Sequence, residues 1–178
     1  MQSPLDASLS EIRMHKRLFF WAAACLSLPV HAAPDLARAM AGAWSGTLQY
    51  RDYGNDRQVI LPTTVTFSGT SAALRGDYVY DDGPGKTVRS TERWALAADG
   101  STLTLEPAGK PARVTAYRGA GEADLALEAE GTGEENRHAV AVRTQVARDG
   151  DALTITRLTQ LPGQAWLVRH TYRLSKVQ

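Results

Sequence analysis

From Ala43 onward, apolar and polar residues alternate with a period of two. Gly, Asp, Asn and Pro interrupt the alternation at short, regular intervals. The clearest run is Ala43-Trp44-Ser45-Gly46-Thr47-Leu48-Gln49-Tyr50. It sets Trp44, Gly46, Leu48 and Tyr50 on one face and Ser45, Thr47 and Gln49 on the other. Successive side chains of an extended strand point to opposite faces, so this is a strand with one face buried. The same reading predicts ten strands, at about 43–52, 57–69, 72–81, 86–98, 101–107, 111–118, 122–130, 137–148, 151–159 and 165–176. The connections carry hairpin chemistry: Tyr53-Gly54-Asn55-Asp56, Asp81-Asp82-Gly83-Pro84-Gly85, Asp99-Gly100, Gly131-Thr132-Gly133, Asp149-Gly150 and Pro162-Gly163. Helix signals are confined to residues 34–41, with Asp35 as N-cap and Gly42 as stop. The pattern is that of an antiparallel sandwich or barrel.

Extending the period along each strand gives an inner set that is mostly aliphatic and aromatic. It also contains Tyr50, Tyr78, Tyr80, Ser90, Glu92, Arg157, His170 and Tyr172. A flat two-sheet core rarely buries so many polar side chains, because each must be paired or hydrated. About ten strands closed into a barrel enclose more room than side chains fill. The expected fold is therefore all-β, an antiparallel up-and-down barrel of about ten strands. Its candidate ligand-binding lumen residues are Tyr50, Tyr78, Glu92, Trp94, Arg157, Trp166, His170 and Tyr172. Leu48, Phe67, Trp94, Leu127 and Trp166 would supply apolar burial and the polar members orientation, with Arg157 meeting an anionic head group. The alternative is that these polar groups sit at an open mouth and touch water.

The N-terminus changes the expected compartment. From Met14 the chain reads Met-His-Lys-Arg, then an almost wholly apolar run from Leu18 to Val30, then His31-Ala32-Ala33-Pro34. A basic head, an apolar run of about a dozen residues and a small-x-small end mark a secretory signal peptide, cleaved after Ala32. The run is shorter than the roughly 20 residues a spanning helix needs. Residues 1–13 do not fit such a signal, so they are expected to be a mis-assigned upstream start. The expected organisation is a signal peptide at 14–32 and one barrel domain at 33–178, periplasmic or secreted, with no transmembrane segment in its mature form. A lipid anchor through Cys25 is the alternative, since Ala22-Ala23-Ala24-Cys25 loosely follows a lipoprotein box.

Composition narrows the chemistry. Residues 33–178 carry equal numbers of Lys+Arg and Asp+Glu, which argues against a nucleic-acid binder. Cys25 is the one cysteine, so the folded part holds no disulfide and no cysteine metal site. His138 and His170 stand far apart, without His-x-His or His-Glu-x-x-His spacing, and no metal is expected. No Gly-x-Ser-x-Gly elbow occurs, and no catalytic residues are assigned. The acidic stretch from Glu122 to Glu135 reads as a solvated outer face followed by a loop.

Gly42-x-Trp44 in the first strand, the serial hairpins and Arg173 in the closing strand resemble the lipocalin and fatty-acid-binding-protein superfamily, the calycins. The resemblance implies a tryptophan at the closed end of the barrel, with a basic side chain from the last strand packed over it. Trp44 and Arg173 would be that structural pair. It also implies, as an alternative to having no cofactor, haem at His170, because nitrobindin-like barrels ligate haem through a histidine near the last strand. The functional expectation is an exported lipocalin-like protein that binds a small apolar or amphipathic molecule in its lumen. The alternative is a cell-envelope structural or interaction protein with a filled barrel; the third is an enzyme using the lumen polar groups. A protein partner is not specified by any motif. Lumen volume discriminates the first two.

Overall fold

The computed structural model describes residues 35–52, 54–55, 57–107, 109–119 and 123–178. The expected upstream start, signal peptide and Cys25 anchor lie outside them. One short helix, α1 (Leu36–Met40), precedes ten strands: β1 (Gly42–Arg51), β2 (Gln58–Thr70), β3 (Ala73–Asp81), β4 (Thr87–Leu96), β5 (Thr102–Glu106), β6 (Ala112–Arg118), β7 (Asp124–Glu135), β8 (His138–Asp149), β9 (Ala152–Gln160) and β10 (Leu167–Lys176). Each strand pairs antiparallel with the next, and β10 returns to pair with β1, so the sheet is a closed barrel. Closure leaves no edge strand. The β1–β10 seam sets Trp44 opposite Lys176, Gly46 opposite Leu174, Leu48 opposite Tyr172 and Tyr50 opposite His170. All of these face inward.

Two strand boundaries depart from expectation for a local reason. Gly131-Thr132-Gly133 is not a turn: β7 runs through it, paired with Val142, Ala141 and Val140 of β8. The reversal comes at Asn136 and Arg137, both at positive φ (50° and 66°), which suits a two-residue hairpin. At the other end, β10 begins at Leu167, and its register against β9 shifts between Val168 and His170. This bulge reverses the inward-outward parity of the residues before it.

The base of the barrel is sealed by α1. Asp35 caps it, its carboxylate accepting from the Arg38 amide at 3.0 Å. Leu36, Ala39 and Met40 are fully buried, and Gly42 takes φ +104° to turn the chain into β1. Trp44 lies beneath the helix with no exposed surface. Its indole N–H donates to the Met40 carbonyl at 2.7 Å. Two cations lie over the ring: the Arg148 guanidinium, 5.2 Å from the centroid, and Lys176 Nζ, 5.0 Å away. Each also holds the end of the helix, Arg148 donating to the Ala39 carbonyl at 2.7 Å and Lys176 to the Ala41 carbonyl at 2.8 Å. Cations are favoured at helix C-terminal carbonyls and over indole faces.

Arg173 is not the partner of Trp44. It is exposed on the outer wall and donates to Gln49 Oε1 at 2.8 Å. The cause is parity: Tyr172 and Leu174 point inward, so the residue between them points out, while Lys176 points in. Arg148→Met should cost about 2 kcal/mol, because it leaves the buried Ala39 carbonyl without its donor. Arg173→Ala should change stability by less than about 0.5 kcal/mol, as exposed side chains do. Urea unfolding of both variants checks the ranking, and the reverse order would refute the role of Arg148 at the base.

Above this seal Phe67, Tyr78 and Trp94 fill the lower lumen, with Phe67 edge-on to both other rings at centroid distances of 5.9 and 6.4 Å. Leu74, Leu103, Leu125, Leu127, Leu153 and Ile155 complete the packing. The barrel is packed at its base and opens at the end where β1 runs into β2.

Candidate functional site

At that open end lies a cavity of about 370 Å³, lined by Leu48, Tyr50 and Arg51 of β1, Leu61 of β2, Tyr80 of β3, Asp82 of the following turn, Val88 of β4, and Arg169, His170 and Tyr172 of β10. The seam strands place it: Tyr50 and His170 are cross-strand partners near the mouth, and Leu48 and Tyr172 are the next inward pair. Leu48, Leu61 and Val88 supply its aliphatic surface. Aromatic rings and hydroxyls are interleaved with them, Leu48 being the ladder partner of Tyr172 and Val88 that of Tyr80.

The Tyr80 hydroxyl lies 2.9 Å from the Tyr172 hydroxyl and 3.2 Å from Ser90 Oγ, so three hydroxyls form a chain. Tyr78 stacks on Tyr80 from below at 6.1 Å, and His170 stands edge-on to Tyr172 at 5.5 Å. Tyr172 is buried, and burial pushes its hydroxyl far above the ordinary tyrosine range. These phenols are neutral donors and acceptors at any ordinary pH.

Deeper in, Glu92 faces Tyr78 and Trp94. Tyr78 Oη and Trp94 Nε1 are buried without a hydrogen-bond partner among the described residues. Burial raises the Glu92 carboxyl above its ordinary value, although Tyr78, Arg157 and Trp94 pull it back. Arg157, on the neighbouring strand β9, is paired with His170 in the ladder. Its side chain lines a crevice of about 20 Å³ on the far wall, with Leu105, Thr144 and others. It reaches the cavity through its charge rather than by contact.

That charge bears on His170. Burial, then the positive Arg157, lower the imidazole from 6.5 to about 4. The unfolded chain therefore takes up this proton at a higher pH than the folded protein does. The resulting stability is complete above about pH 6.5 and is lost as the pH falls toward 4, by at most roughly 3 kcal/mol. Glu92 acts with the opposite sign, since a raised carboxyl makes the folded state the better proton acceptor. Urea unfolding between pH 7 and 4.5 should show the wild type losing more stability than His170→Leu. Equal pH slopes would refute the buried, neutral ring.

The expected lumen residues thus divide. Tyr50, His170 and Tyr172 line the cavity. Tyr78 and Trp94 form the packed floor below it, and Glu92 and Arg157 lie behind it. Trp166 is elsewhere: it belongs to the 161–166 connection, and the Arg143 guanidinium covers its ring at 4.3 Å. Arg143 is on the outer face, donating to Glu130 Oε1 at 2.7 Å, so Trp166 packs on the outside wall. The β10 bulge is the reason, because period-2 counting back from His170 fails across it.

Arg169 is one of three lining residues that counting misses, with Arg51 and Asp82. The bulge turns Arg169 to the rim, where it donates to Thr159 Oγ1 at 2.9 Å and pairs with Glu135. Among the described residues no helix is long and apolar enough to cross a membrane, and no group of three or more His, Cys, Asp or Glu side chains could hold a metal ion. Comparison with protein-family models, curated proteins and solved structures finds no match to the chain.

Proposed function

We propose that the protein is an exported, lipocalin-like barrel of the calycin kind that binds a small apolar or amphipathic molecule in the open half of its lumen. The observation that carries this reading is the mouth cavity above a sealed base. Its volume of about 370 Å³ falls in the range of small-molecule pockets, roughly 300–1,000 Å³. Its walls combine aliphatic and aromatic side chains with a few convergent hydroxyls, a neutral imidazole and the charged groups of Arg51, Asp82 and Arg169, a composition such pockets use. The field of Arg157, felt at His170, favours an electron-rich ligand atom at the back.

Native mass spectrometry of the protein, purified without detergent, should find an added mass of a small organic molecule. Apolar fluorescent probes should bind with loss of that mass. A bare protein that ignores every apolar probe would overturn the reading. It would favour the second one, an envelope structural or interaction protein, which the solid packing of the lower barrel supports. Export is tested separately: protein recovered from the periplasm or medium should begin at Ala33.

A further inference from the structure

The mouth cavity is short. Its lining on β1 runs from Leu48 to Arg51, and on β10 from Arg169 to Tyr172. Three residue steps at about 3.3 Å make it about 10 Å deep along the strands, and less along the barrel axis because the strands tilt. It does not continue below Tyr80 and Tyr172. Their hydroxyls meet across it at 2.9 Å, and Tyr78, Phe67, Trp94 and Trp44, all buried, occupy the lumen beneath. A long acyl chain would have to fold back on itself in such a space.

The walls favour a different shape. Tyr50, Tyr80, His170 and Tyr172 present four ring side chains, and the last three are held against one another at centroid distances of 5.5 and 6.5 Å. Fixed rings offer faces and edges against which another ring packs well. Leu48 and Leu61 fill the wall between these rings. Arg51, Asp82 and Arg169 bring charge to the rim, Asp82 paired with Lys86 and Arg169 with Glu135, and the remaining polar atoms are of one kind. A neutral imidazole has one donor and one acceptor, and a chain of three hydroxyls keeps unused lone pairs and one spare proton. Both match a hydroxyl or a carbonyl oxygen.

We propose that the mouth cavity selects a compact ring compound, of one or two fused rings bearing a hydroxyl or carbonyl group, over a long acyl chain. This rests on the lumen-binding reading above and narrows it. The test is titration calorimetry of the purified protein with 1-naphthol, 1-decanol and palmitate. The first two share carbon number and a single hydroxyl and differ in shape. The expected result is 1-naphthol bound at least about tenfold more tightly than 1-decanol, about 1.4 kcal/mol, with palmitate weaker still. Tyr50→Leu and His170→Leu keep the cavity apolar and should cut that preference to within about threefold.

Equal or tighter binding of 1-decanol or palmitate overturns the ring proposal and leaves amphipathic binding standing. No binding of any of the three overturns both. An undiminished preference in folded Tyr50→Leu and His170→Leu overturns the assignment of selectivity to these walls. Where a variant fails to fold, the wild-type ranking of the three probes decides.

Discussion

Trp44→Ala is expected to destabilise the barrel by about 4–5 kcal/mol, at the upper end of the cost of deleting a buried tryptophan. The ring has no exposed surface, so its whole volume becomes a cavity that the sealed base cannot collapse to fill. The Met40 carbonyl loses its donor. Arg148 and Lys176 lose the ring over which both cations lie. Against a typical domain stability of about 5–15 kcal/mol, such a loss is a large fraction. Trp44→Phe keeps a ring for the cations and loses the N–H, and should cost only about 1–2 kcal/mol. Urea denaturation gives both values. A cost below about 1 kcal/mol for the alanine variant would mean that the base is not held by this residue.

The second large effect is at Gly46. An added Cβ would stand 2.0 Å from the Arg173 carbonyl oxygen and 2.9 Å from Leu174 Cα. All of the obstructing atoms are backbone of the strand that closes the barrel, and no rotamer change removes them. Gly46→Ala must therefore push β1 and β10 apart, breaking ladder hydrogen bonds on both sides. The expected loss exceeds about 4 kcal/mol, among the largest for a single substitution. Gly133→Ala is the control. Its Cβ crowds Val142 Cγ2 at 2.8 Å and touches Val140 Cγ2 at 3.7 Å; both are side-chain methyls that can shift, and about 1–2 kcal/mol is expected. Hydrogen exchange locates the damage: Gly46→Ala should strip protection from the β1–β10 amides while β7–β8 stays protected. Uniform protection in a stable Gly46→Ala protein would contradict the tightness of this seam.

Much of this fold is legible in the chain because a barrel strand has one wet and one dry face, and period 2 reads both. The ten strands, the Asp35 cap and the inward positions of Trp44, Leu48, Tyr172 and Leu174 all follow from that rule. It fails where the backbone changes phase. The bulge before His170 sends Trp166 outside and brings Arg169 to the rim, and no composition signal marks it. Gly131 and Gly133 imitate a turn, but neither needs a special φ, and the positive-φ pair is Asn136-Arg137. The resemblance to the calycins pairs Arg173 with Trp44, against the parity of β10, which points Arg173 outward. The partners that replace it come from two sources. Lys176 follows from the parity of the last strand, whereas Arg148 depends on how β8 lies across the base, a long-range property. Hollow and filled regions of the lumen are likewise set by how side chains interlock across the axis, so the division into a solid base and an open mouth could be read only from three-dimensional packing.

The closure of β1 on β10 has a consequence for how the molecule is made. Gln49 and Arg173 touch across the seam although 124 residues separate them in the chain. Ends that must meet over so long a span meet late. Until β10 is available, the growing sheet carries two bare margins, one on β1 and one on β9, each a template for adding a foreign strand. A polypeptide cut short before Leu167 keeps those margins permanently, and so should polymerise rather than persist as a weakened monomer.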